Sequence, residues 1–211
     1  MQVLVLASQK GGVGKTTLAG HLGVEAERVG AGPVALVDTD PQHSLSRWWQ
    51  ARKADTPLFA HLDLTDLQRG LAELAGQGVK LVMIDTPPAI TENIRAAVGV
   101  ADLVLIPTRP SPHDLAAVGS TVDLAEAAGR PLVFVINGAA NRARITGEAA
   151  VELSQHGKVA PVTVYQRTDY AASMVDGRTA GEIDPTGKSA AEIAALWTYV
   201  SQQVGKQVRK S

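Results

Sequence analysis

The run Lys10-Gly11-Gly12-Val13-Gly14-Lys15-Thr16-Thr17, directly behind the apolar stretch Val3-Leu4-Val5-Leu6-Ala7, decides how this chain is read. It fits the phosphate-loop pattern G-x-x-x-x-G-K-[ST] with Gln9 in the place of the first glycine, and it sets a second lysine, Lys10, at the loop's entrance. A buried strand feeding a glycine turn lets backbone N–H groups close around phosphate oxygens. A helix beginning near Lys15 then points its positive end at the anion. In that frame Lys15 reaches the β- and γ-phosphates of a nucleotide, and the Thr16 hydroxyl holds Mg2+.

Outward from the loop, short apolar runs alternate with segments of helical periodicity. The expected strands are Val3–Ala7, Val34–Val37, Leu81–Ile84, Leu103–Ile106, Leu132–Ile136 and Val162–Val164, with a poorly marked seventh near Leu58–Leu62. They are β-branched and almost continuously apolar, as strands covered on both faces are. Between them Thr17–Val29, Leu67–Ala75, Asp114–Ala128 and Gly147–His156 carry apolar residues at helical spacing. Such alternation implies an α/β fold, a mostly parallel twisted sheet with helices on both faces. No repeat or linker divides it, so residues 1–211 are expected to form a single domain.

Composition narrows the function. A hydrophobic fraction of 45% supplies a core, and 4% aromatic makes that core mainly Val, Leu, Ile and Ala. With no cysteine, disulfides, thiolate metal sites and iron–sulfur clusters are excluded. No apolar run approaches the roughly 18 residues that span a bilayer, and a strand running straight into the phosphate loop leaves no room for a signal peptide; a cytoplasmic protein is expected. Net charge is −1, but from Thr186 onward Lys188, Lys206, Arg209 and Lys210 face only Glu192. That basic end suits either a solubilising tail or a contact with a polyanion.

Two acidic motifs stand at expected strand ends, where open α/β sheets place their ligands. They are Val37-Asp38-Thr39-Asp40-Pro41-Gln42 and Val82-Met83-Ile84-Asp85-Thr86-Pro87-Pro88. Magnesium keeps several waters and takes few protein ligands, so a carboxylate near Thr16 completes its surroundings, with Asp85 the natural candidate. A loop former or helix cap is the alternative for an aspartate so placed.

Together, K-G-G-V-G-K-T-T, D-T-D-P-Q and V-M-I-D-T-P-P resemble the ParA/MinD superfamily of deviant Walker A ATPases over almost the whole chain. Asp102-Leu103-Val104-Leu105-Ile106-Pro107-Thr108, Val135-Ile136-Asn137 and Arg167-Thr168-Asp169-Tyr170 carry the likeness further. The D-P-Q-x-S-x-x-x-W pattern from Asp40 to Trp48, without an N-terminal helix-turn-helix extension, is similar to the small, ParF-like members. The resemblance implies binding of ATP or ADP with Mg2+ at Gly11, Gly12, Val13, Gly14, Lys15, Thr16 and Thr17. It implies that Lys10 crosses a homodimer interface to the partner's nucleotide, that Asp40 orients the attacking water and that Asp38 belongs to the magnesium environment. It also implies that Asp85 opens a switch sensing the γ-phosphate, and that Asn137 contacts adenine, although an Asn at a strand end also forms turns.

Absences sort the branches. Zero cysteines exclude the nitrogenase reductases and the iron–sulfur carriers, and Tyr165, Tyr170 and Tyr199 are too scattered for a tyrosine-kinase tail. The stripe Ile193, Leu196, Trp197, Val200 and Val204 suits a final helix packing on a sheet better than a MinD-like membrane helix. Trp48 and Trp49 are candidates for a partner surface, with one of them expected in the core. The resemblance thus implies a slow, dimerising ATPase that positions a plasmid, chromosome region or protein cluster. It would bind DNA without sequence preference on the nucleoid when ATP-bound and be stimulated by a ParB-like or ParG-like partner. Arg142, Arg144, Arg167, Lys206, Arg209 and Lys210 are the candidate DNA contacts. A membrane-associated regulator of cell division and a nucleotide-gated protein adaptor are the competing classes.

Overall fold

Alternate residues of a strand face opposite sides of a sheet, and here both sides are apolar. In a computed structural model, described over residues 1–89 and 92–208 with side chains as far as Gly205, the first five elements are β1 (Gln2–Leu6), α1 (Lys15–Arg28), β2 (Val34–Asp38), α2 (Ser44–Ala51) and β3 (Leu58–Phe59). Then come α3 (Leu67–Gly76), β4 (Leu81–Asp85), α4 (Glu92–Gly99), β5 (Leu103–Thr108), α5 (Pro112–Ala116) and α6 (Gly119–Ala127). The chain continues through β6 (Leu132–Ala139), α7 (Arg144–Ser154), β7 (Lys158–Val159), β8 (Val164–Tyr165), α8 (Thr168–Ser173), α9 (Ala180–Ile183) and α10 (Lys188–Val208). The strands lie in the order β3-β2-β4-β1-β5-β6-β7, every pair is parallel, and β8 pairs alongside the carboxyl end of β6. The expected parallel α/β architecture is therefore present.

One face of the sheet offers Leu4, Leu6, Leu36, Met83 and Leu105 to Leu18 and Leu22 of α1 and to α10. The other offers Val5, Val37, Ile84, Val104 and Phe134 to α3, α4, α6 and α7. Each fully buried Leu or Val contributes roughly 1.5–3 kcal/mol. The stripe of the last helix belongs to the first core: Leu196, Val200 and Val204 are fully buried, and Ile193 and Trp197 nearly so. Among the described residues, no helix is long and apolar enough to cross a membrane.

Three local expectations need correction. The helix expected over Asp114–Ala128 is two, because Ser111 caps a short turn with Pro112 at its start and the chain breaks before Gly119, a poor helix former. The strand expected at Val162–Val164 is Val164–Tyr165, and β7 was not anticipated at all. Both are two-residue edge strands, too short to show a period.

Because the sheet is parallel, β1, β2 and β4 end at one edge. Leu6 pairs with Asp85, and Asp38 with Asp85, in register. The phosphate loop and both acidic motifs thus leave neighbouring strands side by side.

Candidate functional site

The loop from Ala7 to Gly14 turns β1 into α1. Gly12 and Gly14 have φ of +73° and +95°, the left-handed region where a side chain is strained. At Gly14 a Cβ would also collide with the Asn137 amide. The first amide of α1 with a carbonyl acceptor is Leu18 N, on Gly14 O at 2.9 Å; the amides of Gly12 through Thr17 find no acceptor among the described residues. These free donors at the start of a 14-residue helix form an anion cradle.

Lys15 lies beneath the cradle, 7% exposed, donating to Ser8 O at 3.2 Å and Lys10 O at 3.3 Å. Burial lowers its pKa, while Asp85 and Asp40 oppose that shift. Thr16 Oγ1 donates to Asp85 Oδ2 at 2.6 Å, and Asp85 is buried with its Oδ1 unpartnered. Burial pushes the Asp85 carboxyl up to about 7, against the Thr16 hydrogen bond and Lys15. A hydroxyl and a carboxylate with one orphaned oxygen make a hard donor set that fits Mg2+. Among the described residues no three acidic or imidazole side chains gather as a metal-ligand cluster.

Asp38 sits differently. Its Oδ1 accepts from Asp40 N at 3.0 Å and its Oδ2 from Ser46 N at 2.9 Å, so it caps α2 from a distance and fixes the turn that carries Asp40. Half-buried Asp40 accepts from Gln42 N at 2.9 Å through Oδ1 and lines the cleft above Lys15 and Thr16. Thr39 and Thr86 tie the same strand ends together through Asp85 O and Leu6 O. Lys10 is exposed at the mouth. Asn137 stands behind the loop and donates Nδ2 to Val13 O at 2.6 Å, a support that the sequence did not reveal.

The cleft has a volume of about 610 Å3. Beside the loop it is walled by Ser44, Arg47 and Ala51 of α2 and by Met174 and Val175 after α8. Arg47 lies within the Asp40–Trp48 pattern, which by itself assigns it no role. A second cavity, about 430 Å3, lies between α1, α9 and α10; its Glu25 and Arg28 pair with each other, as do its Arg52 and Glu182.

The basic candidates separate. Arg142 is exposed, and Arg144 is 93% exposed with only Glu148 beside it at 3.1 Å. Arg167 is held by Glu192 at 2.5 Å and lies over the Tyr165 ring, which gives it a structural partner. The side chains of Lys206, Arg209 and Lys210 fall outside the described residues. Trp48 is buried, its Nε1 donating to Arg178 O at 3.1 Å, and half-buried Trp49 packs on Phe59, so neither offers a free ring to a partner.

The CobQ/CobB/MinD/ParA nucleotide binding domain matches residues 4–180. The maintenance of carboxysome distribution protein A of Halothiobacillus neapolitanus is 31% identical over 199 residues, 90% of this chain and 91% of that protein. Protein ParA of Rhizobium radiobacter is 36% identical over 116 residues, 54% of this chain and 51% of its own. In fold, the chain matches the septum site-determining protein MinD of Pyrococcus horikoshii complexed with Mg-ADP, with a TM-score of 0.79, 18% identity and 98% of both chains covered. The chain belongs to the CobQ/CobB/MinD/ParA family of nucleotide-binding domains.

Proposed function

We propose that this chain, as a single domain, is a Mg2+-dependent ATPase that dimerises on ATP and positions a cargo by nucleotide-switched, sequence-independent DNA binding. The observation that carries the nucleotide step is Thr16 on the orphaned Asp85 carboxylate, beside a buried Lys15 and a cradle of free amides. Thr16 and Asp85 would hold Mg2+, with Asp38 behind them, and the ion would supply electrostatic stabilisation of the phosphates. Lys15 grips the same phosphates within the chain. Lys10, exposed at the mouth, reaches the nucleotide of a second copy, where a cation added in trans offsets charge developing on the transferred group. Asp40, fixed by Asp38, orients the attacking water. Asn137 supports the loop through Nδ2 and leaves Oδ1 for the adenine amino group. Hydrolysis is slow until a cargo-bound activator of the ParB or ParG kind aligns Asp40 and Lys10 in the closed dimer.

The relative of Halothiobacillus, matching nine-tenths of both chains, favours a protein assembly as cargo over a plasmid. For DNA, Arg142 and Arg144 remain available, with Lys206, Arg209 and Lys210 as further candidates. The closed dimer presents each of them twice, which favours salt-sensitive binding on the nucleoid. Burial of the α10 stripe favours a packed last helix over the membrane reading.

The test is binding to a random-sequence duplex with a slowly hydrolysed ATP analogue, with ADP and without nucleotide, at two salt concentrations. Binding only with the analogue, and weaker in high salt, supports the reading. No binding under conditions where the dimer forms overturns the DNA step.

A further inference from the structure

The rotation of α2 about its own axis is fixed on two sides. Leu45 and Trp48 are buried, and the Trp48 ring lies so close to Gly20 that a Cβ there would meet it at 3.1 Å. Trp48 Nε1 is held by Arg178 O, while Asp38 Oδ2 holds the first turn through Ser46 N. With that face committed, Ser44, Arg47 and Ala51, at i, i+3 and i+7, turn toward the nucleotide cleft, and all three line it.

Arg47 is the cation of this set, and among the described residues no carboxylate pairs with it. Its only polar side-chain neighbour among the described residues is Ser44 Oγ at 3.5 Å, too long for a strong bond. Arg52, at the end of the same helix, shows the contrast: it is locked to Glu182 at 2.8 Å and buried. Arg47 stays exposed and lines the same cleft as the phosphate loop. A guanidinium presents a planar fork of donors that matches a phosphate, and one without a carboxylate partner gives up no ion pair when a phosphate arrives.

We propose that Arg47 is a further nucleotide-binding residue, gripping the terminal phosphate of ATP within its own chain and giving the cleft a preference for ATP over ADP. The inference rests on the ATPase reading above. It places the selective contact on α2, whose position depends on Asp38 and Trp48, so the helix that follows Asp40 registers which nucleotide is bound.

The test compares dissociation constants of fluorescent ATP and ADP analogues, with Mg2+, for the wild type, Arg47→Ala, Arg47→Lys and Lys15→Ala, with melting temperature as the control for folding. Arg47→Ala should melt like the wild type, weaken the ATP analogue about tenfold and change ADP less than twofold. Arg47→Lys should restore part of the loss, and Lys15→Ala should weaken both nucleotides. Equal effects of Arg47→Ala on ATP and ADP, or none on either, overturn the inference while wild-type binding leaves the nucleotide reading standing. A wild type that binds neither nucleotide overturns both.

Discussion

Thr16, in the first turn of α1, and Asp85, at the carboxyl end of β4, meet across 2.6 Å, and the second oxygen of Asp85 is left buried without a partner. A buried acid in that state weakens the fold and waits for a cation. Asp85→Asn should therefore leave the melting temperature of the nucleotide-free protein unchanged or raise it. The same variant should lower Mg-nucleotide affinity about 10–100-fold. Calorimetric titration with and without Mg2+ checks this; a large loss of stability in the free protein would place Asp85 in the scaffold instead.

Asp40 and Lys10 should fail in different ways. Asp40→Ala should bind ATP, accumulate as dimer and hydrolyse about 10²-fold more slowly. Lys10→Ala should keep monomer nucleotide binding but lose dimerisation or stimulated turnover. Light scattering beside a phosphate-release assay separates the two, and normal stimulated turnover in Lys10→Ala removes the trans role.

His21 makes folding pH-dependent. Its Nδ1 lies 2.8 Å from Thr17 O and its Nε2 accepts from Ala180 N at 3.1 Å, so the ring is the neutral Nδ1–H tautomer. Burial pulls its pKa from 6.5 down to about 4. The unfolded chain binds the proton more readily, so stability falls as pH drops below 6.5 and the loss is complete below 4, on the order of 3 kcal/mol. Urea unfolding at pH 7, 5.5 and 4 should show this slope in the wild type and a shallower one in His21→Gln. Parallel slopes would clear His21 of the effect.

Leu196→Ala tests what the last helix does. The side chain is fully buried against α1 and the sheet, so its truncation should cost about 2–5 kcal/mol in urea unfolding. A change within 0.5 kcal/mol, accompanied by loss of ATP-dependent liposome binding, would return the stripe to a membrane.

The central strands were legible because both faces of each are covered and the apolar run is unbroken, as in Leu81-Val82-Met83-Ile84. The edge was not: Lys158–Val159 holds two residues and one of them is exposed. The phosphate loop could be read directly, since its spacing is local. Contacts that depend on which distant segment comes alongside could not. Asn137 on Val13 O and Trp48 Nε1 on Arg178 O are bonds between residues whose neighbourhood only the assembled fold creates. Helix α2 was missed because its apolar positions, Leu45 and Trp48, span barely one turn. With it went the role of Arg47, whose direction is set by that helix alone.

The pairing of α1 with α10 also bears on how the protein is made. Leu18 and Leu22 sit directly behind the phosphate loop and share their core with Leu196, Val200 and Val204. As the polypeptide leaves the ribosome, α1 emerges well before α10, the helix that completes its core. The apolar face of α1 therefore stays uncovered until α10 has been made, and the core behind the phosphate loop closes only then.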